Sequence, residues 1–105
     1  MSAEYNHGIP GALKNALDYL FYEWNNKAAG FISYGSAGGA RAVESLRLVM
    51  GELKVADVRT AVLLSLFTDF ENHTMFKPDP RHENTLSEML DQLSSWTTAL
   101  KTIRS

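Results

Sequence analysis

The segments AAGFISY (Ala28–Tyr34) and GSAGG (Gly35–Gly39) determine the fold class of this sequence. The first segment is short and apolar on both of its faces, which is typical of a strand covered on two sides in a parallel sheet. The second segment is a flexible, glycine-rich turn, and a helix is predicted to follow it over Ala40–Leu53. The apolar stripe of that helix consists of Val43, Leu46, Val49, Met50 and Leu53.

On either side of these segments, apolar spacing predicts a helix near each end of the sequence and a second buried strand. The helices are predicted over Ile9–Trp24 and Thr85–Ile103, because apolar residues recur in them at steps of three and four. Arg59–Leu66 is predicted as the second strand, and Phe67–Asn84 as a long polar connection. The order helix–strand–helix–strand–helix is an α/β pattern with one right-handed βαβ unit, in a single domain over residues 1–105.

Composition excludes several classes of protein. The 105 residues are 45% hydrophobic and 21% charged, which is typical of a folded globular chain. The lack of cysteine excludes disulfides, thiolate-bound zinc, iron–sulfur clusters and a thiol nucleophile. The formal charge of −2 argues against nonspecific binding to nucleic acid or to an anionic membrane. With no apolar run of about 20 residues and no visible signal peptide, we expect a cytoplasmic protein without a membrane partner.

Acidic residues and histidines in the polar connection raise the question of a metal site. Their spacing matches no compact ligand motif, so we predict a solvated acidic loop and no bound metal. Arg41 and Arg47, near the glycine-rich turn, could meet a phosphate, although an exposed helix face is the favoured interpretation. Trp24 and Trp96 lie on apolar stripes and are predicted to pack or to meet another subunit. The residues of the polar connection that were considered above as metal ligands are Asp69, Glu71, His73, His82 and Glu83.

Two stretches of the sequence resemble a known family. Ala3–Asp18 reads AEYNHGIPGALKNALD and closely resembles the P-E-Y-N-x-x-x-P-G-x-L-K-N-A-x-D signature of the NADPH-dependent FMN reductase family. Ser33–Ala42 reads SYGSAGGARA and looks like the second flavin loop of that family. The likeness covers nearly the whole chain. It implies a partial flavodoxin-like three-layer sandwich, equivalent to the C-terminal half of such a reductase.

The resemblance implies FMN as the cofactor and NADPH as the co-substrate. In that family hydride passes to the flavin, which then reduces a flavin, a quinone or a similar acceptor, so no catalytic side chain is predicted. From the residues themselves, GSAGG follows directly after a strand, where glycine would let the backbone approach a flat ring. The positions that the resemblance assigns to flavin contact are Glu4, Tyr5, Asn6, Tyr34, Gly35, Ser36, Ala37, Gly38 and Gly39.

The sequence departs from the family pattern in two ways. Ala3 replaces the proline of the first motif, and the G-S-x-R-x-x-S type loop, which holds the FMN phosphate in the family, has no counterpart in these residues. Two hypotheses therefore stand side by side. One is a flavin-dependent oxidoreductase, and the other is a truncated or split family member that binds a partner and has no flavin activity of its own.

Oligomerisation is expected because the predicted sheet has only two strands, both apolar on two faces. The strand Ala28–Tyr34 would lack a neighbour on one side, and an open apolar edge pairs readily with another chain. We expect a homodimer or higher oligomer, or association with a missing N-terminal half. In an oligomer this strand would lie antiparallel to its copy; the rival arrangement is helix-to-helix association, which the resemblance implies for the full-length family.

Overall fold

The computed structural model describes residues 1–104 as an α/β fold. The predicted class, with helices around parallel strands, is confirmed. None of the helices in residues 1–104 has both the length and the apolar character needed to cross a membrane. The helices are α1 (Gly11–Asp18), α2 (Ala40–Glu52) and α3 (Arg81–Lys101). The strands are β1 (Ser2–Ala3), β2 (Ala28–Ala29), β3 (Ile32–Gly35), β4 (Ala56–Asp57), β5 (Val62–Ser65), β6 (Phe70–Glu71) and β7 (Met75–Phe76).

The main sheet has three parallel strands in the order β1-β3-β5, with helices on both of its faces. On one face, α1 and α2 enclose a core that includes Phe31 and Leu46. On the other face, α3 places Met89 against Val62 and Leu64. The segment predicted as the first strand is apolar on both faces because Phe31 belongs to the first core and Ile32 packs against the second. The result is three layers, with the unit β3-α2-β5 at the centre.

The single strand predicted over Ala28–Tyr34 is interrupted in the structure. Its first part, β2, pairs with β4, and its last part, β3, pairs with β5. Between these pairs, residues 30–31 lie opposite the longer segment 58–61, in which the backbone N–H of Thr60 donates to Oε1 of Gln92 at 3.0 Å. The interruption coincides with Gly30, where a Cβ would lie 3.2 Å from Sδ of Met89. The break in the strand therefore depends on the close approach of α3. Such a tertiary contact is not visible in the local sequence pattern.

The edge of β3 that was predicted to be open is covered within the chain. Ser2 pairs with Ser33 and Ala3 pairs with Tyr34, in a parallel register. The expectation that this strand has no neighbour, and pairs directly with its own copy, is therefore wrong. Two residues are too few to show an alternating pattern, so sequence spacing could not reveal β1.

The helix boundaries differ from the predicted ones at two places. Helix α1 ends at Asp18, and Nε1 of Trp24 donates to the carbonyl of Leu17 at 3.1 Å, so Trp24 packs from a turn that follows the helix. Helix α3 begins at Arg81, directly after Pro80, whose fixed φ suits a helix start. Much of the polar connection before it folds as the antiparallel hairpin β6–β7. Helix α2 lies where it was predicted.

The sequence favoured an exposed helix face for Arg47, and the structure corrects this interpretation. Nη1 of Arg47 donates to Oδ2 of Asp57 at 2.6 Å and to the carbonyl of Val58 at 2.8 Å, and its Nη2 donates to the carbonyl of Arg59 at 3.0 Å. The guanidinium also lies 5.3 Å from the centroid of the Phe31 ring. Arg47 therefore fastens α2 to the segment that leads into β5, and it is not available to a phosphate.

Candidate functional site

The carboxyl ends of three parallel strands meet at one edge of the main sheet. Glu4–Asn6 follow β1, and Ser36–Gly39 follow β3. A Cβ on Gly35 would lie 3.6 Å from Cβ of Glu4, so the two segments are in contact. The structure therefore brings together the two segments that the sequence assigned to a flavin, at the edge where open α/β sheets bind ligands.

The segment after β1 is a tight two-residue turn. The backbones of Tyr5 and Gly8 exchange both hydrogen bonds, at 3.0 and 2.9 Å. Asn6 and His7 have φ values of 50° and 69°, which is the geometry of a type I′ turn. Tyr5 is 63% exposed, and Asn6 is exposed as well. A stiff turn thus presents both side chains at the sheet edge.

The Glu4 side chain is engaged within the protein, with only 6% of it exposed. Its Oε1 accepts the backbone N–H of Ala42 at 3.0 Å, and its Oε2 accepts Nε of Arg41 at 2.7 Å. Arg41 also donates from Nη1 to Nε2 of His7 at 2.8 Å. The hydrogen bond from Arg41, with that from Ala42, holds the pKa of Glu4 below its ordinary value. Glu4 therefore caps α2 from a distant part of the chain.

Replacing Glu4 with glutamine should lower the free energy of unfolding by about 1 kcal/mol at pH 7, because α2 loses an anion at its positive end. The folded pKa of Glu4 lies below 4.5, so this contribution is present above pH 4.5 and is lost as the pH falls. Urea unfolding of both proteins at pH 7 and pH 3 measures the effect, and the difference should narrow at pH 3.

The matched control for that prediction is Glu44→Gln, which removes a carboxylate that lies on α2 itself. The side chain of Glu44 is 76% exposed, so we expect a change of less than about 0.5 kcal/mol. Equal losses in the two variants would contradict the assignment of Glu4 as the cap.

The glycines of the turn after β3 are required by contact with the sheet. Gly38 and Gly39 have φ values of 71° and 75°. A Cβ on Gly39 would lie 2.6 Å from Cβ of Ser33, and one on Gly38 would lie 2.8 Å from Cβ of Leu63. The hydroxyl of Ser33 donates to the carbonyl of Gly38 at 2.7 Å. From the sequence, these glycines were predicted to let a flat ring approach, whereas the space that they leave is filled by β3 and β5.

The outward side of this turn is formed by Ser36 and Ala37, which are exposed. Tyr34 reaches the same sheet edge but belongs to the face that α3 covers, and it is 36% exposed. Its ring centroid lies 6.3 Å from that of Phe70, which lies 5.3 Å from that of Phe76. The Tyr34 side chain is thus directed to the hairpin β6–β7 and away from the glycine turn.

Sequence reasoning missed the role of Asp69, which is fully buried and not part of a solvated loop. Its carboxylate accepts the backbone N–H groups of Ser65 and Asp79, both at 2.8 Å, and Nε2 of His82 at 2.9 Å. Burial raises the pKa of Asp69, but the hydrogen bonds from Asp79, Ser65 and His82 outweigh it and lower the pKa to about 2. The carboxylate thus joins the end of β5 to the start of α3.

The other acidic and histidine residues of this connection do not join Asp69 and His82. Glu71, His73 and Glu83 are exposed, as expected for a solvated segment. Within residues 1–104, no group of three carboxylates, imidazoles or thiols is placed to hold a metal ion. The sequence did contain a signal for the buried pair of Asp69 and His82. The apolar residues around Asp69 indicate that this connection is folded.

Comparison with known proteins finds the same family as the two motifs. The NADPH-dependent FMN reductase family matches residues 1–69. The NAD(P)H-dependent FMN reductase ntnL of a Nectria species is 49% identical over 70 residues, which are 63% of this chain and 34% of that protein. C4B3.06c of Schizosaccharomyces pombe, also named an NAD(P)H-dependent FMN reductase, is 42% identical over 69 residues, 66% of this chain and 34% of its own.

A third relative is the NAD(P)H-dependent FMN reductase LOT6 of Saccharomyces cerevisiae. It is 44% identical over 55 residues, which are 52% of this chain and 29% of that protein. The chain therefore spans about a third of the length of the curated relatives it matches. The family match ends at Asp69, so the hairpin β6–β7 and α3 lie outside it.

Proposed function

Because the chain belongs to the NADPH-dependent FMN reductase family, we propose that Glu4–Asn6 and Gly35–Gly39 hold the ring system of FMN. The protein then takes part in NAD(P)H-dependent hydride transfer to a flavin, a quinone or a similar acceptor. The observation that carries the proposal is the contact between these two segments at the carboxyl edge of the parallel sheet.

The residues present suit a flat ring because both segments are stiff. The turn Tyr5–Gly8 is closed by two backbone hydrogen bonds, and the glycine turn is seated against β3 and β5. Glu4 and Arg41 join the first segment to α2, which follows the second. Surfaces that are already ordered lose little conformational entropy when they bind. When bound, FMN would supply the redox chemistry, and these segments would orient it.

The aromatic residues beside the site favour a planar acceptor. Tyr34, Phe70 and Phe76 form a row of contacting rings that extends from the end of β3 to the hairpin β6–β7. Phe76 is 54% exposed, so part of this row is open to a ligand. Flat apolar molecules gain from stacking on such rings and from removing them from water.

The second candidate is that the chain is a family member with no flavin activity of its own. The charges at the site favour this candidate. The phosphate of FMN carries a charge of about −1.5 to −2 and needs charge-assisted donors. Arg41 is the arginine next to the two segments, and it is already paired with Glu4 and His7. These described residues therefore suit the ring of FMN better than its phosphate.

Titration with FMN and riboflavin tests the proposal, with flavin fluorescence quenching as the readout. We expect a dissociation constant for FMN of about 10–100 μM or weaker, since each missing charge-assisted hydrogen bond costs about 1.5–3 kcal/mol. Riboflavin has the same ring without the phosphate and should bind within a few-fold of FMN. Asn6→Ala should weaken both flavins, whereas Leu48→Ala, at an 80% exposed position of α2, should weaken neither.

The outcomes of this titration separate the two candidate functions. A sub-micromolar dissociation constant for FMN, together with much weaker binding of riboflavin, would show that other residues hold the phosphate. That result would contradict our account of Arg41. If the protein quenches the fluorescence of neither flavin, the proposed flavin site is overturned and the second candidate is favoured.

A further inference from the structure

The turn Tyr5–Gly8 is joined to the start of α2 through the side chain of His7, at a position that the family signature leaves open. Nη1 of Arg41 lies 2.8 Å from Nε2 of His7. A guanidinium can only donate hydrogen bonds, so Nε2 of His7 is the acceptor. The hydrogen bond therefore requires a neutral ring that carries its hydrogen on Nδ1, because a protonated imidazole has no free acceptor nitrogen.

The place of the guanidinium is fixed by Glu4, which lies on the other side of it. Nε and Nη2 of Arg41 both pair with Oε2 of Glu4, whose side chain is only 6% exposed. No other charged side chain of residues 1–104 pairs with Arg41 or His7. Because the hydrogen bond from Arg41 holds the pKa of Glu4 below its ordinary value, Glu4 stays charged at about pH 5.5. Histidine is the side chain that ordinarily changes charge between pH 5 and 8, so mild acid acts on His7 and leaves the pair of Glu4 and Arg41 in place.

The same dipeptide forms a second turn of this chain, without the arginine. Asn72 and His73 lie at the tip of the hairpin β6–β7, with φ values of 53° and 59°, close to those of Asn6 and His7. The ring of His73 lies against the ring of Phe67, at a centroid distance of 5.3 Å, and no arginine of residues 1–104 hydrogen-bonds to it. The two turns thus differ in what protonation of the histidine would break.

We propose that His7 is a positioning residue for the flavin site, and that it holds the turn Tyr5–Gly8 against α2 only while its ring is neutral. Protonation ends the hydrogen bond from Arg41 and sets two cations side by side. Tyr5 and Asn6 then lose their fixed place at the sheet edge, and binding a flavin ring must first order them again. The effect on flavin rests on the function proposed above, whereas the attachment of the turn does not depend on it.

NMR of the ligand-free chain tests the attachment without any flavin. At pH 7.5, imidazole nitrogen spectra should show the hydrogen of His7 on Nδ1. The amides of Tyr5 and Gly8 are bonded within the turn, and they should lose about three- to tenfold of their protection from hydrogen exchange between pH 7.5 and 5.5, after correction for intrinsic rates. The amide of Thr74, which donates to the carbonyl of Glu71 at 3.1 Å in the second turn, is the internal control and should keep its protection.

Two substitutions separate the hydrogen bond from the titration. His7→Gln keeps an acceptor about as far along the side chain as Nε2 and does not titrate, so the turn should keep its protection at both pH values. His7→Asn is tolerated at a positive φ, but its side chain is too short to reach Arg41, so protection should be low at both pH values.

Riboflavin binding, followed by fluorescence quenching, tests the effect on the site. Riboflavin is the probe because the phosphate of FMN itself titrates near pH 6. The unmodified chain should bind riboflavin about three- to tenfold more weakly at pH 5.5 than at pH 7.5, whereas its affinity for His7→Gln and His7→Asn should be the same at the two pH values.

Several results would overturn the proposal. A hydrogen on Nε2 of His7 at pH 7.5, or equal protection of the turn at the two pH values, contradicts the attachment whether or not flavin binds. A loss of protection that persists in His7→Gln, or that appears equally at Thr74, belongs to another group. If the turn loosens as expected but riboflavin binds equally well at both pH values, or at neither, the attachment is supported and the role in flavin binding is overturned.

Discussion

Replacing Asp69 with alanine should lower the free energy of unfolding by about 3–5 kcal/mol, because several buried donors lose their common acceptor. The backbone N–H groups of Ser65 and Asp79 and the ring N–H of His82 all point at this carboxylate, which is fully buried. Urea unfolding at pH 7 measures the loss. Asp91→Ala, at an exposed position of α3, is the matched control and should change the stability by less than about 0.5 kcal/mol. Similar effects in both variants would contradict the assigned role.

The same carboxylate predicts a loss of stability in acid. The folded pKa of Asp69 is about 2, below the ordinary value of 3.8. Its contribution is therefore present above about pH 4 and is lost as the pH falls from about 4 to 2. Asp69→Asn has no carboxylate to titrate there, so its stability should vary less with pH than that of the unmodified protein across this window. A parallel dependence in the two proteins would show that other groups dominate acid unfolding.

Replacing Gly39 with alanine should cost about 3 kcal/mol of unfolding free energy. The residue has a φ of 75°, which strains any side chain, and the added Cβ would lie 2.6 Å from Cβ of Ser33. The turn would have to move away from β3, so the variant should also bind flavins more weakly if the proposed site is correct. Thermal and urea unfolding measure the first effect, and fluorescence quenching measures the second.

Gly51→Ala is the control for that substitution, since it adds the same methyl group to α2 with no atom within 4 Å. Alanine is favoured over glycine in a helix, so this variant should gain about 0.5–1 kcal/mol. The change in the free energy of unfolding should therefore have opposite signs in the two variants. A neutral Gly39→Ala would contradict the close seating of the turn on the sheet.

The βαβ unit could be predicted from sequence because its signals are local. The run around Ile32 and Phe31 is apolar on both faces, and α2 repeats its apolar residues at helical spacing. The break in that strand could not be predicted, because it depends on Met89 of α3 pressing against Gly30. The strand β1 was missed because Ser2–Ala3 is too short to show a period.

The motifs predicted that two segments belong to one site, and the structure places these segments side by side, but the contacts of their side chains could not be predicted. The motif suggested Glu4 as a ligand contact, whereas the structure shows it bound to Arg41 and to the start of α2. That pairing joins parts of the chain far apart in sequence, and no local pattern shows it. Asp69 was misjudged for a related reason: a charged residue in a polar segment is usually solvated, and only tertiary contacts reveal this exception.

The parallel pairing of β1 with β3 and of β3 with β5 has a consequence for the order of folding. Each pair joins residues separated by a long crossover, such as Ser2 with Ser33 and Ile32 with Val62. The hairpin β6–β7 and the helices need only nearby residues, and such elements form within microseconds. We expect the sheet to form more slowly, because closing the long crossovers costs entropy before any distant contact is made. In that interval the apolar strands are open to water, so nascent chains at high concentration face competition between sheet closure and aggregation.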